Sequence, residues 1–290
     1  MKIGINSLDE FGGSLNSYYK EDLNSNSLTK MVKSLHQDLD VDVVEINASA
    51  RGVRPELITE KTLRELAEYQ ENTGVMYTVH LPWRGIELAN LIEEMREAGA
   101  NYQRDLIKWF DRWLDVEHYV LHVQGGGMEK VKNSKKIDAE SKKRILKKMS
   151  DQLRLSMLTI LNATDSKRVS VENLEKGWEG PYALAKEFDT SICCDVGHLI
   201  IQGADVSKVI ENHLDRINHV HYHDVIETES EEEIKLEDHV TLGTGLLNIS
   251  ETLKVLLDNN YEDVLLLEVK ERSFADQSIE VLRSHLKELM

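Results

Sequence analysis

Short apolar runs alternate with longer amphipathic stretches along the whole chain. Runs rich in Val, Ile, Leu and Tyr fall at 2–6 (KIGIN), 41–47 (VDVVEIN), 76–82 (MYTVHLP), 118–124 (HYVLHVQ), 168–175 (RVSVENLE), 191–198 (SICCDVGH), 217–224 (INHVHYHD) and 263–269 (DVLLLEV). Such runs suit strands covered on both faces. Between them, at 27–39, 56–73, 87–115, 137–164, 181–188, 205–214, 249–259 and 274–289, apolar positions recur with helical periodicity. Strand-then-helix units imply a parallel sheet, and eight of them close a barrel. An open doubly wound sheet more often begins with a Gly-rich turn. Here the first strand runs into Asn6-Ser7-Leu8-Asp9. No linker or shift in composition marks a second domain, so residues 1–290 are read as one (β/α)₈ barrel, an α/β fold.

Two stretches depart from the rhythm. Residues 129–148 are rich in Lys and Arg, and residues 227–238 carry a run of Glu in what reads as a long loop after the seventh strand. Both are expected to be solvated surface. The sharper alternatives are a phosphate-attracting patch and a lid.

The chemistry lies in ionisable residues set inside apolar strands. The outer face of a barrel strand meets helices and must be apolar, so the other parity points inward. Val169 and Val171 face out, which turns Ser170 and Glu172 in. Leu265 and Leu267 face out, which turns Glu268 in. Asp195 shares its face with the small residues Ser191 and Cys193. The same parity directs His80 with Thr78, His122 with Val120, and His221 against Val220 and Tyr222. Six of the eight strands thus bring an acid or imidazole to the mouth at their C-terminal ends, where active sites of such barrels lie. Buried charges are costly unless paired or bound to metal. His198 follows the sixth strand, and His239 precedes the two-glycine turn Thr241-Leu242-Gly243-Thr244-Gly245. Mixed imidazole and carboxylate donors suit Zn²⁺, Mn²⁺ or Fe²⁺ better than Mg²⁺ or Ca²⁺. Asn6 and Glu45 also share the inward parity and are expected to contact substrate, as is Trp83 at the rim. His223 is expected beside the ligands and His219 deeper in the packing. His36, His118, His213 and His285 read as structural or surface residues.

Charge narrows the partners. A formal net charge of −17 repels phosphate backbones and argues against a general nucleic-acid binder. No run of about 18 apolar residues is present to span a membrane. The two cysteines, Cys193 and Cys194, are adjacent and point to opposite faces of a strand, against a disulfide between them. They read as core, and a strand-like start without a leader pattern predicts a cytoplasmic chain.

The pieces Val79-His80-Leu81-Pro82, Leu121-His122, Val171-Glu172-Asn173, Cys194-Asp195-Val196-Gly197-His198, Val220-His221-Tyr222-His223-Asp224, His239 before Leu242-Gly243-Thr244-Gly245, and Leu267-Glu268 fall in order along the strands. In this the chain resembles the xylose-isomerase-like barrel superfamily, which includes endonuclease IV and sugar isomerases and epimerases. The resemblance implies a metal core of Glu172, Asp195, His221 and Glu268. In the isomerases and epimerases one divalent ion sits there, and the two Glu also transfer protons. In endonuclease IV the core is enlarged to three zinc ions, and the additional ligands match His80, His122, His198 and His239, with Glu172 bridging. A further Asp ligand there corresponds to Glu237, with Asp238 following.

The extra histidines favour clustered metals, which suit phosphoester hydrolysis because one ion activates water while others stabilise charge on phosphorus and the leaving oxygen. The expectation is therefore a hydrolase of a small-molecule phosphodiester with two or three Zn or Mn ions per chain. A branch of similar length and ligand pattern cleaves the nucleotide loop of cobamides. The alternative is a sugar or sugar-phosphate isomerase or epimerase with Glu172 and Glu268 as its acid–base pair. A non-catalytic binder is disfavoured, because unpaired buried acids would destabilise a core that made no use of them.

Overall fold

The computed structural model describes residues 1–7, 25–123, 126–175, 177–229 and 234–290. Its strands are β1 (Lys2–Asn6), β2 (Val43–Asn47), β3 (Met76–His80), β4 (Val116–Leu121), β5 (Val169–Glu172), β6 (Ser191–Asp195), β7 (Ile217–Tyr222), β8 (Asp224–Glu229), β9 (Ile234–Val240) and β10 (Val264–Leu267). Its helices are α1 (Ser25–Leu39), α2 (Ala50–Val53), α3 (Glu60–Thr73), α4 (Glu93–Phe110), α5 (Gly126–Asn133), α6 (Ala139–Leu161), α7 (Glu179–Phe188), α8 (Val196–Ile201), α9 (Val206–His213), α10 (Ile249–Asp258) and α11 (Arg272–Leu289). Eight strands close into a barrel in the order β1-β10-β7-β6-β5-β4-β3-β2, every pair parallel. The fold is the (β/α)₈ barrel that the alternation predicts.

Apolar residues divide by parity as the sequence requires. Outward-facing Val44, Ile46, Val79, Val171 and Leu265 join the helices in one large buried cluster. Inward-facing Val43, Val264 and Leu266 form a small separate one inside the barrel. Helix ends are fixed by local chemistry: Thr59 and Asp138 cap α3 and α6, and Gly74 ends α3 in the left-handed conformation that it adopts without strain. Asp195 is both the last residue of β6 and the cap of α8, accepting from the His198 N–H at 2.7 Å.

The segment expected as a Glu-rich loop is instead an antiparallel hairpin of β8 and β9. Along β9, Ile234, Leu236 and Val240 share one parity, a strand pattern that the Glu run obscures. Residues 230–233 of that segment, like residues 8 and 9 after β1 and Gln124 at the predicted end of the fourth strand, lie outside the described residues. The Lys- and Arg-rich stretch lies on α5, the turn after it and the start of α6, where Lys130, Lys132, Lys135, Lys136, Lys143, Arg144, Lys147 and Lys148 are exposed. Among the described residues, no helix is long and apolar enough to cross a membrane.

Candidate metal centre

Four inward donors meet at the C-terminal mouth. Ligand atoms of Glu172, Asp195, His221 and Glu268 all lie within 4.8 Å of one another. His221 Nδ1 is 2.9 Å from Glu268 Oε2 and 3.2 Å from Glu172 Oε1. The other oxygen of Glu172, Oε2, is 2.6 Å from His122 Nε2 and 3.3 Å from His80 Nε2. One carboxylate therefore stands between two donor groups, the second being His80, His122 and Glu172. A third group, Glu175, His198 and Asp238, lies at the rim. His239 reaches Glu268 Oε2 at 3.2 Å and Asp238 Oδ1 at 2.9 Å.

Electrostatics follow from this crowding. Burial opposes ionisation of Glu172, but the His122 and His221 imidazoles outweigh it and hold the carboxyl well below the usual range. Glu268 is held down against burial by His221 and His239, and Asp195 by His198 and His223. Burial works against a charge on His80, yet the adjacent Glu172 carboxylate, with Glu45 and Glu268 beyond it, raises it to about 9. For His122 burial prevails and the pKa falls. His122 Nε2, Glu172 Oε2, His221 Nε2 and Glu268 Oε2 are buried without a hydrogen-bond partner among the described residues. Buried polar atoms are normally satisfied. Donors that converge at close range without hydrogen-bond geometry fit a divalent transition-metal ion, and the N/O set suits zinc-class ions.

The remaining predicted residues occupy distinct positions. His223 is fully buried and touches both oxygens of Asp195 at 3.1 Å. Trp83 stacks on His122 with ring centroids 5.3 Å apart, and the Arg84 guanidinium covers the Trp83 ring. Asn6, expected at the substrate, exchanges hydrogen bonds with the Val269 backbone at 3.0 and 3.1 Å and so fixes the chain beside Glu268. Glu45 points inward as expected but lies below the ligands, 2% exposed, accepting from the Thr78 hydroxyl at 3.2 Å. Glu237 is half exposed with Lys270 Nζ at 3.8 Å, and the structure brings its neighbour Asp238 to the rim group.

Two contributors had no assigned role. Asn173 donates to the Asp195 carbonyl at 2.9 Å and accepts from its N–H at 2.8 Å, locking the backbone that carries this ligand. Its position directly after Glu172 was the available signal. Glu175 had none, since its parity is lost once β5 ends at Glu172. A cavity of about 490 Å³ at the opposite mouth is lined by Glu117, His118, Lys167, Arg168 and Asn218 among others, and by none of these donors.

A closed barrel with carboxylates and imidazoles converging at its C-terminal mouth defines a class of metal-centred barrels. The xylose isomerase-like TIM barrel family matches residues 35–287, and the chain belongs to that family. Inosose dehydratase of Clostridium perfringens (strain ATCC 13124) is 35% identical over 88 residues, which is 27% of this chain and 29% of that protein. The match thus spans under a third of that relative's length. Among solved structures, a D-tagatose 3-epimerase-like protein has a TM-score of 0.71 at 21% identity, with 100% of this chain and 98% of that one covered. Endonuclease IV from Thermus thermophilus has a TM-score of 0.65 at 17% identity, with 99% and 100% covered. These structural likenesses establish the shared barrel.

Proposed function

We propose that this barrel is a metal-dependent enzyme that moves a proton at a carbon beside the carbonyl of a small sugar- or polyol-like substrate, as an isomerase, epimerase or dehydratase. The observation that carries this reading is the placement of Glu172 and Glu268 around the same His221 nitrogen. Two ionised carboxylates beside one substrate position supply a base and, after its protonation, an acid. The dehydratase and epimerase names among its relatives support sugar chemistry. Glu172, Asp195, His221 and Glu268 would hold the ion, which supplies Lewis-acid polarisation of a substrate oxygen. Asp195 and His221 complete the ligand set, and Asn173 and His223 keep Asp195 aimed at it. Trp83 offers an apolar face at the rim for the C–H surface of a sugar ring. Two free, buried cysteines suit a cytoplasmic enzyme.

A second reading is hydrolysis of a small phosphodiester with two or three Zn or Mn ions. It is favoured by the position of Glu172 between two donor groups and by the third group at the rim. One experiment separates the readings. The protein, loaded with Zn²⁺ or Mn²⁺, is incubated in D₂O with a panel of ketohexoses and inososes, and in parallel with bis(p-nitrophenyl) phosphate. Deuterium appearing next to the carbonyl, reduced about 10²–10⁴-fold by Glu268→Gln, is the expected result. Release of nitrophenol with no deuterium uptake would replace the first reading with the second.

A further inference from the structure

Beneath the mouth, the barrel interior carries polar residues where bulky aliphatic side chains are usual. Across the β6–β7 pairing, Asp195 stands beside His221, and one inward step lower Cys193 stands beside His219. Cys193, His219 and His221 are all 0% exposed, and a ligand atom of each lies within 4.8 Å of the other two. Glu45 lies beside both imidazoles, with Oε2 3.5 Å from His219 Nε2 and Oε1 3.5 Å from His221 Nε2. Among the described residues, neither ring nitrogen of His219 has a hydrogen-bond partner, nor does His221 Nε2. An imidazole buried with both nitrogens unsatisfied is costly, and a packing role alone would be filled better by an aliphatic residue.

We propose that Cys193, His219 and His221, with the Glu45 carboxylate beside both imidazoles, form a second, deeper metal site that takes a zinc-class ion through a thiolate. Tetrahedral coordination at about 2.0–2.3 Å places donors roughly 3.3–3.8 Å apart, so Cys193, His219 and His221, with ligand atoms within 4.8 Å of one another, need draw in by at most about 1 Å. Sulfur gives this layer a preference for thiophilic ions that the N/O core above it lacks. The Cys193 thiol loses its proton to solvent as the sulfur–metal bond forms. His221 then lies between the two sites, Nδ1 toward Glu172 and Glu268 and Nε2 toward Glu45, and to serve both ions it gives up both ring protons to solvent as an imidazolate. Cys194, on the opposite parity, packs in the outer core with the helices and has no part in the site.

Cobalt spectroscopy tests this without any substrate and independently of the catalytic reading, because the upper core contains no sulfur. The protein, reduced and stripped of metal, is titrated with Co²⁺. The expected result is a sulfur-to-cobalt charge-transfer band in the near ultraviolet, beside the visible bands of cobalt in the N/O core. Cys193→Ser should abolish the band and remove about one bound ion per chain, His219→Phe should weaken it at least severalfold, and Cys194→Ser should leave it intact. Wild-type protein that fills its visible bands without a thiolate band would overturn the proposal, with no variant required. So would a band that persists in Cys193→Ser or disappears in a folded Cys194→Ser.

Discussion

The imidazole of His223 rests directly on Gly197, so closely that a Cβ at residue 197 would overlap Cε1 and lie 2.5 Å from Nδ1. The contact matters because His223 is held at both ends. Its Nδ1 accepts from the His239 backbone N–H at 3.0 Å, which leaves Nε2 to donate to Asp195. One glycine thereby sets the orientation of a ligand carboxylate and the position of the hairpin that carries His239. Gly197→Ala should push His223 off Asp195 and weaken metal binding about 10–100-fold, as loss of a residue that orients a ligand typically does. Competition against a chromogenic chelator measures this, and unchanged affinity in a folded variant would show that Asp195 does not need His223.

The eight barrel strands were legible because strands buried on both faces read as apolar runs, and their parity turned Glu172, Asp195, His221 and Glu268 inward. Parity gives the face and not the height. Glu45 is inward, but its register beside Asn6 and Thr78 sets it a layer below the donors. A second difference has a backbone cause. In a regular strand Glu237 and His239 would share a face, but His239 has φ 56°, the left-handed region. That twist ends the alternation, so consecutive Asp238 and His239 both turn to the site while Glu237 faces Lys270. No residue pattern announces such a twist at a histidine.

The turn after the hairpin is organised by Asp224, a fully buried carboxylate that accepts from the backbone N–H groups of Val225, Gly243, Gly245 and Leu247, each at 2.9 Å. Replacing one acceptor oxygen with an amide NH₂ leaves at least one of those N–H groups facing a donor. Asp224→Asn should therefore cost about 2–4 kcal/mol in urea unfolding. Gly245→Ala should be damaging too, since its Cβ would lie 2.6 Å from Asp224 Oδ1 and press on the Val225 carbonyl. A loss under about 0.5 kcal/mol for Asp224→Asn would mean that the turn holds without this carboxylate.

At the other mouth, burial, with Lys2 and Arg168 nearby, lowers His118 to about 4. Its Nδ1 accepts from Asn218 Nδ2 at 3.0 Å, a bond that protonation would break. A depressed histidine binds fewer protons folded than unfolded, so its contribution is complete above about pH 6.5 and is lost as pH falls toward 4. The wild type should lose about 2 kcal/mol more than His118→Gln between pH 7.5 and 4, the glutamine oxygen keeping an acceptor for Asn218. Parallel stability-versus-pH curves for the two proteins would contradict the assignment.

Metal uptake should carry a proton signature that follows from which histidines are charged in the stripped protein. His80, raised to about 9 by the Glu172 carboxylate against the effect of burial, holds its proton at pH 7 and must release it to become a neutral ligand. His122, lowered by burial, has none to give, and Glu172 is already ionised. Filling the His80, His122 and Glu172 group at pH 7 should thus release about one proton per ion, with apparent affinity rising with pH until His80 titrates near 9. In the stripped protein the sign is opposite. The stabilising His80–Glu172 pair is fully present below His80's unfolded value of about 6.5 and is lost as pH rises through about 9. Calorimetric titration with Zn²⁺ in buffers of different ionisation enthalpy counts the protons. His80→Ala should lower that count by about one while also weakening binding, and an unchanged count would place the released proton elsewhere.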